Sequence, residues 1–219
     1  MKDVIIVSGG NIQRDFALDF LQKNKKENVC LIAADKGVEF FIKTDWVPDV
    51  AVGDFDSLSA AGEKYLDSLK ETEIVRLKPE KDDSDTQSAV NFAIDRGAKN
   101  ITIFGATGNR IDHLLANFGL LVLGRERGTD IILIDQWNYM KLVESGTVLK
   151  KKEQFGKYVS FFSLEGDMPG LTLVGFKYPL DHYHLRVSDS GLTVSNEIEA
   201  EEAVVSFDGK SLLMLMTRD

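Results

Sequence analysis

VAVGDFDSLSAAGEKYLDSLK, residues 50–70, reads as a strand, a turn and a helix in succession. The apolar run Val50–Val52 stops at Gly53. From Ala60 onward apolar residues recur at intervals of three and four, the spacing of a helix that buries one face. Between the two lie Asp54, Phe55 and Asp56. If that segment stays extended, both carboxylates point one way and Phe55 the other. Like charges so placed repel, unless a cation or a metal-bound phosphate sits between them.

The same rhythm extends outward from this stretch. Further strands are expected at Val4–Val7, Val29–Ala33, Glu73–Leu77, Ile101–Phe104 and Ile131–Ile134. They are separated by the helical patterns RDFALDFLQKN and TQSAVNFAIDRG, residues 14–24 and 86–97. Ser84 and Gln87 have capping-box spacing before the second of these, and Gly97 is its stop. Alternating strands and helices predict a parallel sheet covered by helices. After Trp137 the pattern changes to short strands: Met140–Val143, Tyr158–Leu164, Leu171–Phe176, Leu185–Val187, Leu192–Val194, Ala203–Phe207 and Leu212–Met216. Turns such as Glu-Ser-Gly, Glu-Gly-Asp, Ser-Asp-Ser-Gly and Asp-Gly-Lys divide them. The expected fold class is therefore α/β over residues 1–137, followed by an all-β sandwich over 138–219.

Composition limits the function. The chain has 219 residues, 43% of them hydrophobic, and a net charge of −9. That balance fits a soluble globular protein and argues against a nucleic-acid binder working through a basic surface. An acidic protein can still hold a nucleotide if a divalent metal carries the positive charge. The single cysteine, Cys30, sits in an apolar run and reads as a small hydrophobe, which makes a cytoplasmic location the simplest expectation. The apolar run in MKDVIIVSGG is too short for a signal peptide, and no run is long enough to span a membrane.

Each expected strand of the first half ends in residues that a plain connector does not need. These are Ser8-Gly9-Gly10, Asp35-Lys36-Gly37, Gly53 to Ser57, Lys81 to Asp85, and Gly105 to Arg110. In a parallel sheet such ends line one edge, where open α/β sheets bind ligands. Asp54, Asp56, Asp82, Asp83 and Asp85 bring up to five carboxylates there, an oxygen-only set that suits magnesium. Asp83 on its own fits a helix start. His113, His182 and His184 show no zinc spacing with Cys30. In GATGNRIDHLLAN, residues 105–117, glycines permit close backbone approach before a helix start. Arg110, at the positive end of that helix, is expected to face an anion, and His113 shares a face with Asn117. In GFKYPLDHYHLRV, residues 175–187, Tyr178, His182, Tyr183 and His184 can stack on a flat ring. Ser195 and Asn196 in GLTVSNE can hydrogen-bond an aminopyrimidine edge. Taken alone, these last residues read first as a turn with a packed aromatic and as a polar hairpin pair. The run Lys150-Lys151-Lys152-Glu153 reads as a solvated turn.

DVAVGDFDSL, KDDSDT, GATGNRIDHLLAN, and GFKYPL followed by GLTVSNE occur in an order and spacing that resembles the thiamine pyrophosphokinase family over almost the whole chain. The resemblance implies a Rossmann-like nucleotide-binding domain followed by a β-sandwich that binds thiamine. It also implies a homodimer with thiamine held between subunits, and transfer of a diphosphoryl group from ATP to the thiamine hydroxyl, giving thiamine diphosphate and AMP. On matching positions it implies that Asp54, Asp56, Asp82 and Asp85 bind magnesium and phosphate, with Asp35 assisting. Thr107, Arg110, Asp112 and His113 then hold ATP, and Tyr178, Ser195 and Asn196 contact thiamine. Lys36 and Asn109 stand where the family usually has glycine. A magnesium-dependent phosphohydrolase and a non-catalytic nucleotide or vitamin sensor are the competing readings.

Overall fold

A computed structural model describes residues 2–25, 28–78, 80, 82–108, 110–189 and 191–219. Lys81, Asn109 and Ser190, which figure in the motifs above, lie outside the described residues. The chain divides into two compact units, Met1–Gln136 and Trp137–Asp219.

The first unit is built on β1 (Asp3–Val7), β2 (Val29–Ala34), β3 (Val50–Gly53), β4 (Glu73–Arg76), β5 (Asn100–Phe104) and β6 (Asp130–Ile134). These strands lie in the order β4-β3-β2-β1-β5-β6, and the neighbours within that run are parallel. Val4 to Val7, Leu31 to Ala34 and the whole of β3 are buried without alternation. That is the signature of strands covered on both faces. The helices are α1 (Arg14–Asn24), α2 (Ala60–Ser68), α3 (Asp85–Asp95) and α4 (Ile111–Glu126). α3 packs on β1, β2 and β3, burying Ala89, Val90 and Ala93, and α4 packs on β6 and α3.

Local chemistry sets the helix ends. Ser59 caps α2, its Oγ accepting from the Gly62 N–H at 3.2 Å. Ser84 caps α3 by accepting from the Gln87 N–H at 3.2 Å, as the spacing predicts. The Gln87 side chain does not return to Ser84. Its Nε2 donates instead to Asp83 Oδ1 at 2.6 Å. Gly97, at φ +83°, turns the chain out of α3.

The second unit contains two antiparallel sheets. β7 (Asn138–Val143) and β9 (Tyr158–Phe162) flank β13 (Leu212–Thr217), and β11 (Leu180–Leu185), β10 (Met168–Val174), β12 (Glu202–Ser206) and β8 (Thr147–Lys150) follow one another. Val159, Phe161 and Met214 from the first sheet share one core with Leu171, Leu173 and Val205 from the second. Three expectations need correction. Leu192–Val194 is a turn, its backbone closed by Leu192 N–H to Asp189 O and Val194 N–H to Gly191 O. The strand expected at Leu185–Val187 ends at Leu185, because the Arg186 N–H is taken by Asp189 Oδ2 at 2.8 Å. β8 was not foreseen: four residues between a turn and a charge run give too short a pattern to read. Lys151–Glu153 is an exposed 3-10 turn.

Candidate active site

The site of the first unit begins with its strand order. From β1 the chain moves outward through β2, β3 and β4, then returns to β5 on the other side of β1. The chain thus leaves β1 toward one side of the sheet and β5 toward the other, the arrangement that opens a ligand crevice beyond the strand ends. A cleft of about 510 Å3 lies there, lined by Ser8, Gly9 and Gly10 from one loop and Gly105, Ala106 and Gly108 from the other. The loops touch closely: a Cβ on Gly10 would stand 2.1 Å from the carbonyl oxygen of Gly105. Asn117 of α4 is buried and donates from Nδ2 to the Ala106 carbonyl at 2.8 Å, and Ser8 Oγ meets Thr86 Oγ1 at 2.5 Å. The rim adds Asp35, Lys36, Ser57, Asp85, Arg110 and His113.

Carboxylate oxygens of Asp35, Asp54 and Asp56 all lie within 4.8 Å of one another. Asp54 and Asp56 do converge, but not by strand alternation. β3 ends at Gly53, and Phe55 takes a left-handed conformation at φ +63°. This kink buries the Phe55 ring, over which the Arg76 guanidinium lies 5.4 Å from the centroid. The Asp56 N–H then donates to Asp54 Oδ1 at 3.3 Å, which holds the two acids on one side of the turn. Asp35 is also left-handed, at φ +45°. Such backbone costs on the order of 1 kcal/mol per residue and collects at functional sites. Asp35 Oδ2 accepts from Ser57 Oγ, while its Oδ1 is buried without a hydrogen-bond partner. The charge of Asp54 is the main reason the Asp56 carboxyl titrates above its usual value, with Asp35 and Asp85 adding to it. A hard cation answers both the crowded charge and the unused Asp35 oxygen.

Neither Asp82 nor Asp85 is among the three carboxylates that meet there, although Asp85 lies near enough to help raise the Asp56 carboxyl. Because Ser84 is the cap and α3 starts at Asp85, Asp82 is left exposed in the bend outside the helix. Asp83 is committed to α3, accepting from Gln87 Nε2 and from Asn91 Nδ2 at 3.1 Å.

Thr107 stands between the cleft residues Ala106 and Gly108 without lining the cleft itself; its Oγ1 donates to Asp135 Oδ2 at 2.6 Å, so its hydroxyl can only accept from a ligand. Arg110 is the N-cap of α4, and the anion it faces is Asp112, which takes Nε at 3.1 Å and Nη2 at 2.5 Å. That pair depresses the Asp112 carboxyl to about 2. His113 lines the cleft, and its N–H donates to Asp112 Oδ1 at 3.0 Å. Burial, ahead of the Asp49 charge, raises the Cys30 thiol to about 11, far from a nucleophile.

In the second unit Tyr178 is 56% exposed. Asn196 does not present its amide to solvent. The side chain is buried; Oδ1 accepts from the Tyr178 and Glu197 N–H groups at 3.0 and 2.9 Å, and Nδ2 donates to the Tyr178 carbonyl at 2.8 Å. It fixes the backbone that carries Tyr178. Ser195, left-handed at φ +57°, is exposed, with its N–H on Ser160 Oγ at 3.0 Å. His182 pairs with Asp181, and His184 with Asp167. Tyr183 packs against the core.

Residues 21–133 match the model of the thiamin pyrophosphokinase catalytic domain, and residues 146–212 that of the thiamin pyrophosphokinase vitamin B1 binding domain. The thiamine pyrophosphokinase of Bacillus subtilis is 33% identical over the full length of both chains. The chain belongs to the thiamin pyrophosphokinase family. A crystal structure of that Bacillus subtilis enzyme superposes with a TM-score of 0.86 at 31% identity, covering all of both chains. One from Geobacillus thermodenitrificans gives 0.83 at 30%, covering 99% of this chain and 97% of the other. The catalytic-domain match takes in Asp35, Asp54, Asp56, Asp85, Thr107, Arg110 and His113, and the vitamin-binding match takes in Tyr178, Ser195 and Asn196. The Ser8–Gly10 wall of the cleft precedes the catalytic-domain match. Asp135 and Ser57 were passed over in the sequence. Asp135 carried the same mark as the others, a polar residue directly after a strand, and Ser57 stood inside a quoted motif.

Proposed function

We propose that this chain transfers the diphosphoryl group of ATP to the hydroxyl of thiamine, forming thiamine diphosphate and AMP. The chain is a thiamine pyrophosphokinase. The observation that carries the chemistry is the meeting of Asp35, Asp54 and Asp56 at the mouth of a glycine-walled cleft. The first unit acts as a Rossmann-like ATP-binding domain, which its parallel sheet and the crevice between the β1 and β5 loops support.

Asp35, Asp54 and Asp56 would hold Mg2+, and Asp85 would add its charge nearby. When bound, the metal supplies charge neutralisation to the phosphate tail. The hydroxyl oxygen of thiamine attacks the β-phosphorus in line. The bond from that phosphorus to the oxygen bridging toward the α-phosphate breaks, AMP departs with that oxygen, and the hydroxyl proton is released. Little covalent work falls to the protein, so positioning dominates. Thr107, its proton given to Asp135, offers lone pairs and suits a donor such as an adenine amine. Arg110, Asp112 and His113 border the nucleotide. The second unit binds thiamine, with Tyr178 as a stacking face, Ser195 beside it, and Asn196 as the brace for the Tyr178 backbone.

The enzyme works in the cytoplasm as a homodimer with its active sites at the subunit interface. Ile111 and Leu115, 72% and 63% exposed on α4 beside the cleft residues Arg110 and His113, support a second copy there. Among the described residues no helix is long and apolar enough to cross a membrane.

The test is incubation of the full chain with ATP and magnesium, with and without thiamine. AMP and thiamine diphosphate are expected in equal amounts, and only when thiamine is present. Phosphate or diphosphate released without thiamine marks a phosphohydrolase, and binding without turnover marks a sensor. Either result overturns the assignment.

A further inference from the structure

Lys36 is the second residue of the 3-10 turn Asp35–Phe41 that follows β2. It lines the main cleft and also a smaller one of about 220 Å3 that shares Ser8, Gly9 and Gly10 with it. Its neighbour Asp35 is held by Ser57, so the stem starts from a fixed point. The stem is cleared by Gly9, where an added Cβ would stand 2.9 Å from the Cβ of Lys36. Among the described residues the Lys36 ammonium has no hydrogen-bond or ion-pair partner, and the residue is exposed. Glu39, which feels its charge, has Oε1 committed to the Ser59 N–H at 2.6 Å. Arg110, the other strong cation among the described residues of the cleft, is locked in its two-bond pair with Asp112.

A polyphosphate entering this cleft passes the acidic walls of Asp35 and Asp85. Among the described residues lining the cleft, the cation able to meet it without first breaking an existing pair is Lys36, a point charge with three donors on a flexible stem. We propose that Lys36 is a phosphate-binding residue, its ammonium donating to non-bridging oxygens of the nucleotide's polyphosphate and so favouring triphosphates over monophosphates. The assignment rests on reading the cleft as the ATP site.

The experiment is equilibrium binding of a non-hydrolysable ATP analogue and of AMP, with magnesium present, to the full chain, Lys36→Met and Lys36→Arg. The unmodified chain is expected to prefer the analogue. Lys36→Met is expected to bind the analogue about ten-fold more weakly or worse, the worth of a charge-assisted contact. Its affinity for AMP is expected to stay unchanged, and Lys36→Arg to recover most of the loss. Unaltered analogue binding in Lys36→Met overturns the proposal. So does an equal loss for AMP, which signals a distorted cleft, or a Lys36→Arg chain as weak as Lys36→Met. Turnover of the unmodified chain with thiamine, measured alongside, separates the two readings. Binding that depends on Lys36 without thiamine diphosphate formation sinks the transfer reaction alone. Normal turnover with Lys36-independent binding sinks the Lys36 role alone.

Discussion

At the scale of single residues, the acids at the strand ends do unequal work. Asp54 and Asp56 face each other across the Phe55 kink, and Asp35 closes the group. Replacing Asp54 or Asp56 by asparagine is expected to lower kcat by on the order of a hundred-fold or more, as loss of a preorganised charge-stabilising element does. The same changes should leave the metal-free chain at least as stable, because a repulsion is removed. Asp82→Asn, outside the group, should keep near-normal turnover. Steady-state kinetics and thermal melting of the three variants check this, and a crippled Asp82→Asn enzyme would return that residue to the site. The sequence marked Asp54 and Asp56 by their spacing but misjudged the backbone between them. Nothing in Asp-Phe-Asp announces a left-handed phenylalanine, which the burial of its ring and the chain's turn at Gly53 impose. Asp82 reads like the others in the sequence because a run of acids before a helix looks alike whether it faces a cleft or solvent.

At the scale of elements, the loops after β1 and β5 form the cleft by close backbone approach. Gly10→Ala would press a methyl against the Gly105 carbonyl, 2.1 Å away. The expected outcome is a raised KM for ATP and about 1–3 kcal/mol of lost stability, read from urea unfolding. In the second unit Asn196→Ala would strip the Tyr178 backbone of both its side-chain bonds. A loss of about 1–3 kcal/mol is expected, together with a raised KM for thiamine and an unchanged KM for ATP. Most elements of the first unit were legible because doubly covered strands read as unbroken apolar runs and two of the helices, α2 and α3, carry serine caps. The second unit was less so. Its strands are short, and side-chain bonds such as Asp189 to the Arg186 N–H end them where periodicity alone would continue. The order of strands, which creates the crevice, is a tertiary fact with no local signal.

At the scale of the whole molecule, the acidic group makes stability depend on pH and is expected to make it depend on magnesium. The Asp56 carboxyl titrates above its ordinary 3.8, chiefly because of Asp54. A raised value means that this group favours the folded chain below 3.8 and loses that contribution as pH rises through the raised value. Asp112 runs the other way: with its carboxyl lowered to about 2, its contribution is present above 3.8 and is lost as pH falls toward 2. Magnesium is therefore expected to raise the melting temperature more near neutral pH than near pH ~4, and to lose that effect in Asp54→Asn. Equal shifts at both pH values would separate the metal from the acids. If two phosphoryl groups move together from ATP to thiamine, a quenched reaction with ATP labelled at the β-phosphorus shows it. All transferred label is expected in thiamine diphosphate, with an equal amount of unlabelled AMP. Label recovered in ADP, inorganic phosphate or free diphosphate, with thiamine unchanged, would contradict it.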